Sequence, residues 1–222
     1  MWRDAALVAG KDLRIEWRSR VATNQVAPFA LLVLILFAFA LDDNPGVLTQ
    51  AAAGLYWVAV LFSGLLAVQR SSAIEAADGA RDHLRLSGLD PAGIFLGKAG
   101  AVAAQLLALE VLLAAGIVIL YNASIGGVVL VVLTNILATA GLAAAGTLYG
   151  SLAAGLKVRE TLLPLLLLPV AAPLLLAATE AWQAALGSHP GDGTEWVNLL
   201  AVFAIIYLTF GVLAFGSLLE ES

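Results

Sequence analysis

Two histidines, His83 and His189, are the only imidazoles in this 222-residue sequence, and it contains no cysteine. That excludes disulfides, thiolate zinc sites, thiol redox chemistry and covalent c-type haem attachment. The run Gly93-Ile94-Phe95-Leu96-Gly97-Lys98-Ala99 invites comparison with a phosphate-binding loop. It is one residue short between the glycines and lacks the hydroxyl that would hold magnesium. This chain is therefore not expected to hydrolyse nucleotide, and no catalytic, cofactor-binding or metal-ligating set emerges. Glu110 is the one carboxylate that falls deep inside an apolar stretch, with Gln105 more than a turn before it. An ionised carboxylate there is costly, so it must face protein or water or be protonated. Two readings are open: a proton-coupling or substrate site, or a structural group bonded to Asn135 or Thr139 on the next helix.

The elements that position these residues follow from composition. Hydrophobic residues make up 61% of the chain and charged residues 12%, against about 25% charged in soluble domains; mean hydropathy is +0.96. A hydrocarbon core about 30 Å thick takes about 20 apolar residues per helix. Six stretches qualify, at about 21–41, 47–68, 97–120, 128–155, 161–178 and 197–219. The first ends at Asp42-Asp43-Asn44-Pro45-Gly46, a dense turn signal. Ahead of it, residues 1–20 read as an amphipathic helix, with Trp2, Ala6, Ala9, Leu13 and Trp17 opposite Asp4, Lys11, Arg14 and Arg18. Tryptophan beside Arg and Lys suits the headgroup region. Eight charges in those 20 residues argue against a cleavable signal peptide. Pro164, Pro169 and Pro173 suggest a broken fifth span ending near Ala178. A short outer-surface helix over Glu180–Leu186 would then carry Trp182 at headgroup level. Gly93/Gly97 and Gly146/Gly150 are Gly-x3-Gly pairs suited to close helix packing, within the chain or between subunits.

Orientation comes from the basic residues. Five precede the first span, four lie between the second and third or at the start of the third, and two lie between the fourth and fifth, which is all eleven. The alternate connections hold none, so the positive-inside rule places both termini in the cytoplasm. His83 and His189 then lie on opposite sides and cannot share a site; His189 is either solvated or an outer-face ligand for haem iron. The polar segment 69–96 is cytoplasmic. Its Asp78-Gly79 turn, short helix Arg81–Leu86 and Asp90-Pro91 helix start make it either a solvated loop or a rigid docking element for a soluble partner.

The arrangement resembles the ABC-2-type export permeases, and within them the CcmB family, the B subunit of the haem exporter of cytochrome c maturation. The resemblance rests on Lys11-Asp12-Leu13-Arg14-Ile15-Glu16-Trp17-Arg18-Ser19-Arg20 and on Trp57 to Ala67 followed by Arg70-Ser71. It rests also on Glu75-x-x-Asp78-Gly79 leading to Leu84-x-Leu86-Ser87 and Gly97-Lys98. It covers the whole chain, with one departure at Arg81-Asp82-His83. It implies a single all-α permease domain over 1–222, a homodimer assembled with two ATPase subunits, and a haem-handling membrane subunit alongside. ATP then binds the partner, haem is the cargo of the complex, and the location is the inner membrane. Glu75, Asp78, Gly79, Arg81 and Arg85 would dock the ATPase, and no nucleic acid is involved. An ABC-2 permease for a drug, lipid or polysaccharide shares this architecture. A secondary carrier coupled through Glu110 does not require the docking segment, but lacks visible inverted repeats.

The topology is directly testable. Single cysteines introduced at Asp43, Asn122 and Asp192 are expected to react with an impermeant label from outside the cell. Cysteines at Arg81 and Lys157 are expected to react only after permeabilisation, and the reverse pattern would defeat the assignment.

Overall fold

The fold is that of a computed structural model, which describes residues 1–20, 22–41, 45–76, 88–154, 159–187 and 191–221. It is helical, with no strand among the described residues. The helices are α1 (Trp2–Ser19), α2 (Ala27–Ala40), α3 (Pro45–Ala76), α4 (Pro91–Leu120), α5 (Val128–Ala154), α6 (Arg159–Ala185) and α7 (Thr194–Glu221). A single π-helical turn, Ala22–Val26, leads into α2. Such all-helical structure satisfies every backbone group within its own segment, which hydrocarbon demands.

Helices α3 to α7 are each long and apolar enough to cross a membrane. The sixth candidate is a bent pair, α1 with the helix leading into α2, turned by 53°. The bend follows Arg20, which sits in the left-handed region at φ 52°. Helix α2 alone has 14 residues, about 21 Å at 1.5 Å per residue. With the π-turn it reaches about 28 Å, close to the hydrocarbon thickness.

Two expectations are corrected. The three prolines do not break the fifth segment: α6 is continuous past all of them to Ala185. Membrane helices tolerate proline where neighbouring groups re-satisfy the freed backbone. Nor is there a separate surface helix after Ala178. Ala177, Ala178, Ala181, Trp182 and Ala185 are all at most 2% exposed, because this stretch carries one face of α6 into the core. The third segment also starts earlier than its apolar run, at Pro91, because Asp90 caps it by accepting from the Ala92 N–H at 3.1 Å.

Helix α5 lies at the centre, packed on α3, α4, α6 and α7. Glycines set how close its neighbours come. A Cβ on Gly146 would lie 2.7 Å from Val68 of α3, and one on Gly150 would lie 3.0 Å from the Ser72 hydroxyl. Both therefore serve packing within the chain. Gly141 meets Leu174 of α6 in the same way, at 2.8 Å. The other Gly-x3-Gly pair receives α1: a Cβ at Gly93 would reach the Met1 carbonyl at 2.7 Å, and at Gly97 the Ala5 carbonyl at 2.6 Å.

Ala5 and Val8 of α1 are buried in this contact, whereas Trp2 and Trp17 are 74% and 83% exposed. The tryptophan stripe thus faces away from the protein while the adjacent face grips α4. Elsewhere many large apolar side chains are exposed, among them Phe39, Val111, Ile119 and Leu213. Such a surface suits lipid and would be a liability in water.

Replacing Gly97 by valine should force α1 off α4, since the clash is with backbone. We expect a stability loss of about 1–3 kcal/mol, the usual range for overpacking, with the α1–α4 junction becoming sensitive to limited proteolysis. Gly100→Val, at an open position, is the control and should leave both unchanged.

Candidate functional site

Polar side chains gather in two places, one at each end of the bundle. The first lies in the half nearer the α4–α5 connection and joins four helices. On α5, Asn135 and Thr139 are one turn apart and face the same way. The Thr139 hydroxyl donates to Glu110 Oε1 on α4. Asn135 Nδ2 donates to the Tyr56 hydroxyl on α3 at 2.7 Å, and the Trp182 indole N–H on α6 donates to Asn135 Oδ1 at 2.7 Å. Tyr56 in turn donates to the Glu110 carbonyl at 3.3 Å.

Stacking reinforces these bonds. The rings of Tyr56 and Trp182 stack at 3.9 Å, and Trp57 meets both edge-on at 5.3 and 6.5 Å. Glu110, Tyr56, Trp57 and Trp182 are all at most 1% exposed. Of the two partners open to Glu110 in the sequence, its side chain takes the hydroxyl, and the amide goes to the aromatic pair. Above this network the α6 C-terminus is capped from the α4–α5 connection. The Gly126 and Gly127 N–H groups both donate to the Ala185 carbonyl at 3.0 Å.

The second gathering lies at the opposite end and centres on α1. Glu16 Oε2 is 3.2 Å from Arg70 Nε, tying α1 to the last turns of α3. Asp4 Oδ2 accepts from the Asp90 N–H at 3.3 Å, tying α1 to the start of α4, and the Met1 ammonium is 3.2 Å from Asp90 Oδ2. The Asp90 N–H is the largest influence holding the Asp4 carboxyl below its ordinary range, and the Asp90 carboxylate raises the Met1 ammonium. Gln105 belongs here rather than with Glu110, and lines a cleft with Arg70 and Glu16.

These two ties flank the expected docking segment on either side. Asp78, Gly79, Arg81 and Arg85 lie outside the described residues, as do both histidines, and Glu75 is described only as part of the final helical turn of α3. Among the described residues, no three His, Asp or Glu side chains are grouped closely enough to hold a metal.

Sequence reasoning missed Tyr56, Trp57 and Trp182 as members of a polar core, and missed the Glu16–Arg70 and Asp4–Asp90 ties. One signal was present. Aromatic residues with a polar handle, placed well inside an apolar run, need a hydrogen-bond partner.

Five or six helices long and apolar enough to cross a membrane, around a central helix gripped through glycine, define a multi-pass membrane protein. The chain matches the CcmB protein family model over residues 4–222, and it belongs to that family. It is 31% identical to the heme exporter protein B of Haemophilus influenzae, over 92% of this chain and 93% of that protein. It is 29% identical to the heme exporter protein B of Paracoccus denitrificans, over 92% and 94% respectively. The Pseudomonas aeruginosa heme exporter protein B is 26% identical, with 94% of each chain covered.

If the network holds the four helices together, Glu110→Gln should keep the acceptor for Thr139 and leave the protein's abundance and melting temperature in detergent nearly unchanged. Glu110→Leu orphans a buried hydroxyl and should cost about 1–3 kcal/mol. An abundant Gln variant that has lost function would instead mark Glu110 as a proton-coupling group.

Proposed function

We propose that this chain is the permease subunit of an ABC-type complex that exports haem, or delivers it to a periplasmic haem chaperone, for c-type cytochrome assembly. The observation that carries this reading is the family match along almost the entire chain, together with relatives named as heme exporter protein B. Such a subunit is not itself an enzyme; ATP hydrolysis belongs to a separate ATPase subunit, two copies of which would bind a dimer of this chain. A haem-handling membrane subunit completes the assembly. The ABC-2 permease for another cargo and the carrier coupled through Glu110 receive no support from these relatives.

The orientation belongs to the same proposal. With residues 22–40 as the first crossing and α3 to α7 as the others, six crossings put both termini on the cytoplasmic side of the inner membrane. Helix α1 then runs beside the inward end of α4, with Trp2 and Trp17 on its exposed face. Counting about 20 residues back from Leu120 for the hydrocarbon core reaches Ala101. The first two to three turns of α4 therefore project inward, carrying α1 and the end of the docking segment with them. The Glu16–Arg70 and Asp4–Asp90 ties support a mechanical role for this region. A movement imposed on residues 75–91 by the ATPase would reach α1, α3 and α4 together.

The test is coupling rather than insertion. Glu75→Lys, Gly79→Val and Arg85→Glu are expected to lower co-purification of the ATPase subunit, its stimulated ATP hydrolysis and covalent c-type cytochrome assembly. Membrane abundance of this chain should stay normal. Full coupling in all three variants would reduce the segment to a solvated loop.

A further inference from the structure

The cleft between α1, the π-turn, α3 and α4 is unlike the rest of the molecular surface. Its volume is about 290 Å³, near the lower end of the range for small-molecule pockets. One side is polar: Glu16, Arg70, Gln25 and Gln105 come from four different elements. The other is apolar, with Leu66 of α3 and Leu106 of α4 forming much of it. Gln105 lies about one turn inside the hydrocarbon boundary reckoned from the outer end of α4. The polar side is therefore placed where headgroups end and the apolar side where acyl chains begin.

We propose that this cleft binds the acidic end of an amphiphile drawn from the same membrane leaflet, with Arg70 as the anchor for its carboxylate or phosphate. A guanidinium presents five donors in a planar fork and suits both anions. The Glu16 contact is made at Nε, 3.2 Å away, and the four Nη–H donors lie outside it. Glu16 occupies the position of a competing anion, close to charge-neutral with Arg70, and an incoming acidic group exchanges with it. Gln25 and Gln105 supply amide donors without further charge, while the apolar side receives the body of the ligand. A second acidic residue, Asp12, lines an adjoining smaller recess together with Glu16 and Arg70; Lys11, 3.0 Å from its carboxylate, offsets that charge. The cavity accommodates a headgroup and the first part of an acyl chain, or one carboxylate-bearing edge of a porphyrin.

Both sources share this chemistry, and the experiment separates them. The full-length chain in nanodiscs of zwitterionic phosphatidylcholine is titrated with phosphatidic acid carrying a fluorophore on its acyl chain and, separately, with haem followed by absorbance. Labelled phosphatidylcholine is the neutral control. Arg70→Gln should weaken binding of the competent probe about tenfold, as expected for loss of one hydrogen bond to a charged group. Glu16→Gln should tighten it, because the internal competitor is gone. A purely structural ion pair predicts that both variants weaken binding alike. The opposite signs keep the proposal testable through Glu16→Gln even if Arg70→Gln folds poorly. Arg70-dependent binding of either probe supports the site and identifies its source. Binding that ignores both substitutions, or equals that of phosphatidylcholine, overturns it. Because cytochrome assembly is measured independently, a lipid-only result would leave the haem-export reading standing.

Discussion

Helices immersed in hydrocarbon gain nothing by hiding apolar faces from one another, since lipid tails are as apolar as leucine. What holds them is close van der Waals approach and the bonds of the few polar groups present. This bundle depends on the first of these. Val68 fits over Gly146, Leu142 over Gly64, Leu174 over Gly141, and the Phe95 ring lies against Gly211, 2.0 Å from where a Cβ would stand. Each contact puts a bulky side chain of one helix against the bare backbone of another. Helix α5 can touch four neighbours because so much of its surface is glycine and alanine.

With the approach set by small residues, the polar groups add direction. The bond from Trp182 through Asn135 to Tyr56, beside that from Thr139 to Glu110, fixes the rotation of four helices about their axes. A buried polar group without its partner is costly, so a helix turned by one residue would lose a bond and leave a group exposed to apolar surroundings. At the other end the bonds involve charged groups, are 3.2–3.3 Å long and are partly exposed. Surface ion pairs contribute little to stability. The polar stitching is consequently firmer near the α4–α5 connection than around α1, where close packing on Gly93 and Gly97 carries the contact.

Much of this was legible in the sequence. Composition and the length of the apolar runs determined a helical membrane protein with about six crossings. Asp90-Pro91 marked where α4 begins. The motifs from Lys11 to Arg20 and from Trp57 to Ser71 pointed to the family that the whole-chain match then showed. These features depend on local chemistry or on one-dimensional pattern, which is why they can be read without coordinates.

What tertiary structure alone decided is partnership. Glu110 announced itself as a buried carboxylate, and Thr139 and Asn135 were both within plausible reach, but choosing between them requires the relative rotation of α4 and α5. Trp182 looked like a headgroup anchor because three prolines and a polar run suggested that its helix had ended. Only the stacked Tyr56 ring and the Asn135 acceptor show why the helix continues and why that tryptophan turns inward. Glu16 and Arg70, separated by more than fifty positions, meet because Gly93 and Gly97 let α1 settle along α4 beside α3. The sequence determines which residues must be buried and which must stay near water, since each carries its own transfer free energy. It leaves open which of them meet, because that is set by the phase and crossing of separate helices, a property of no single segment.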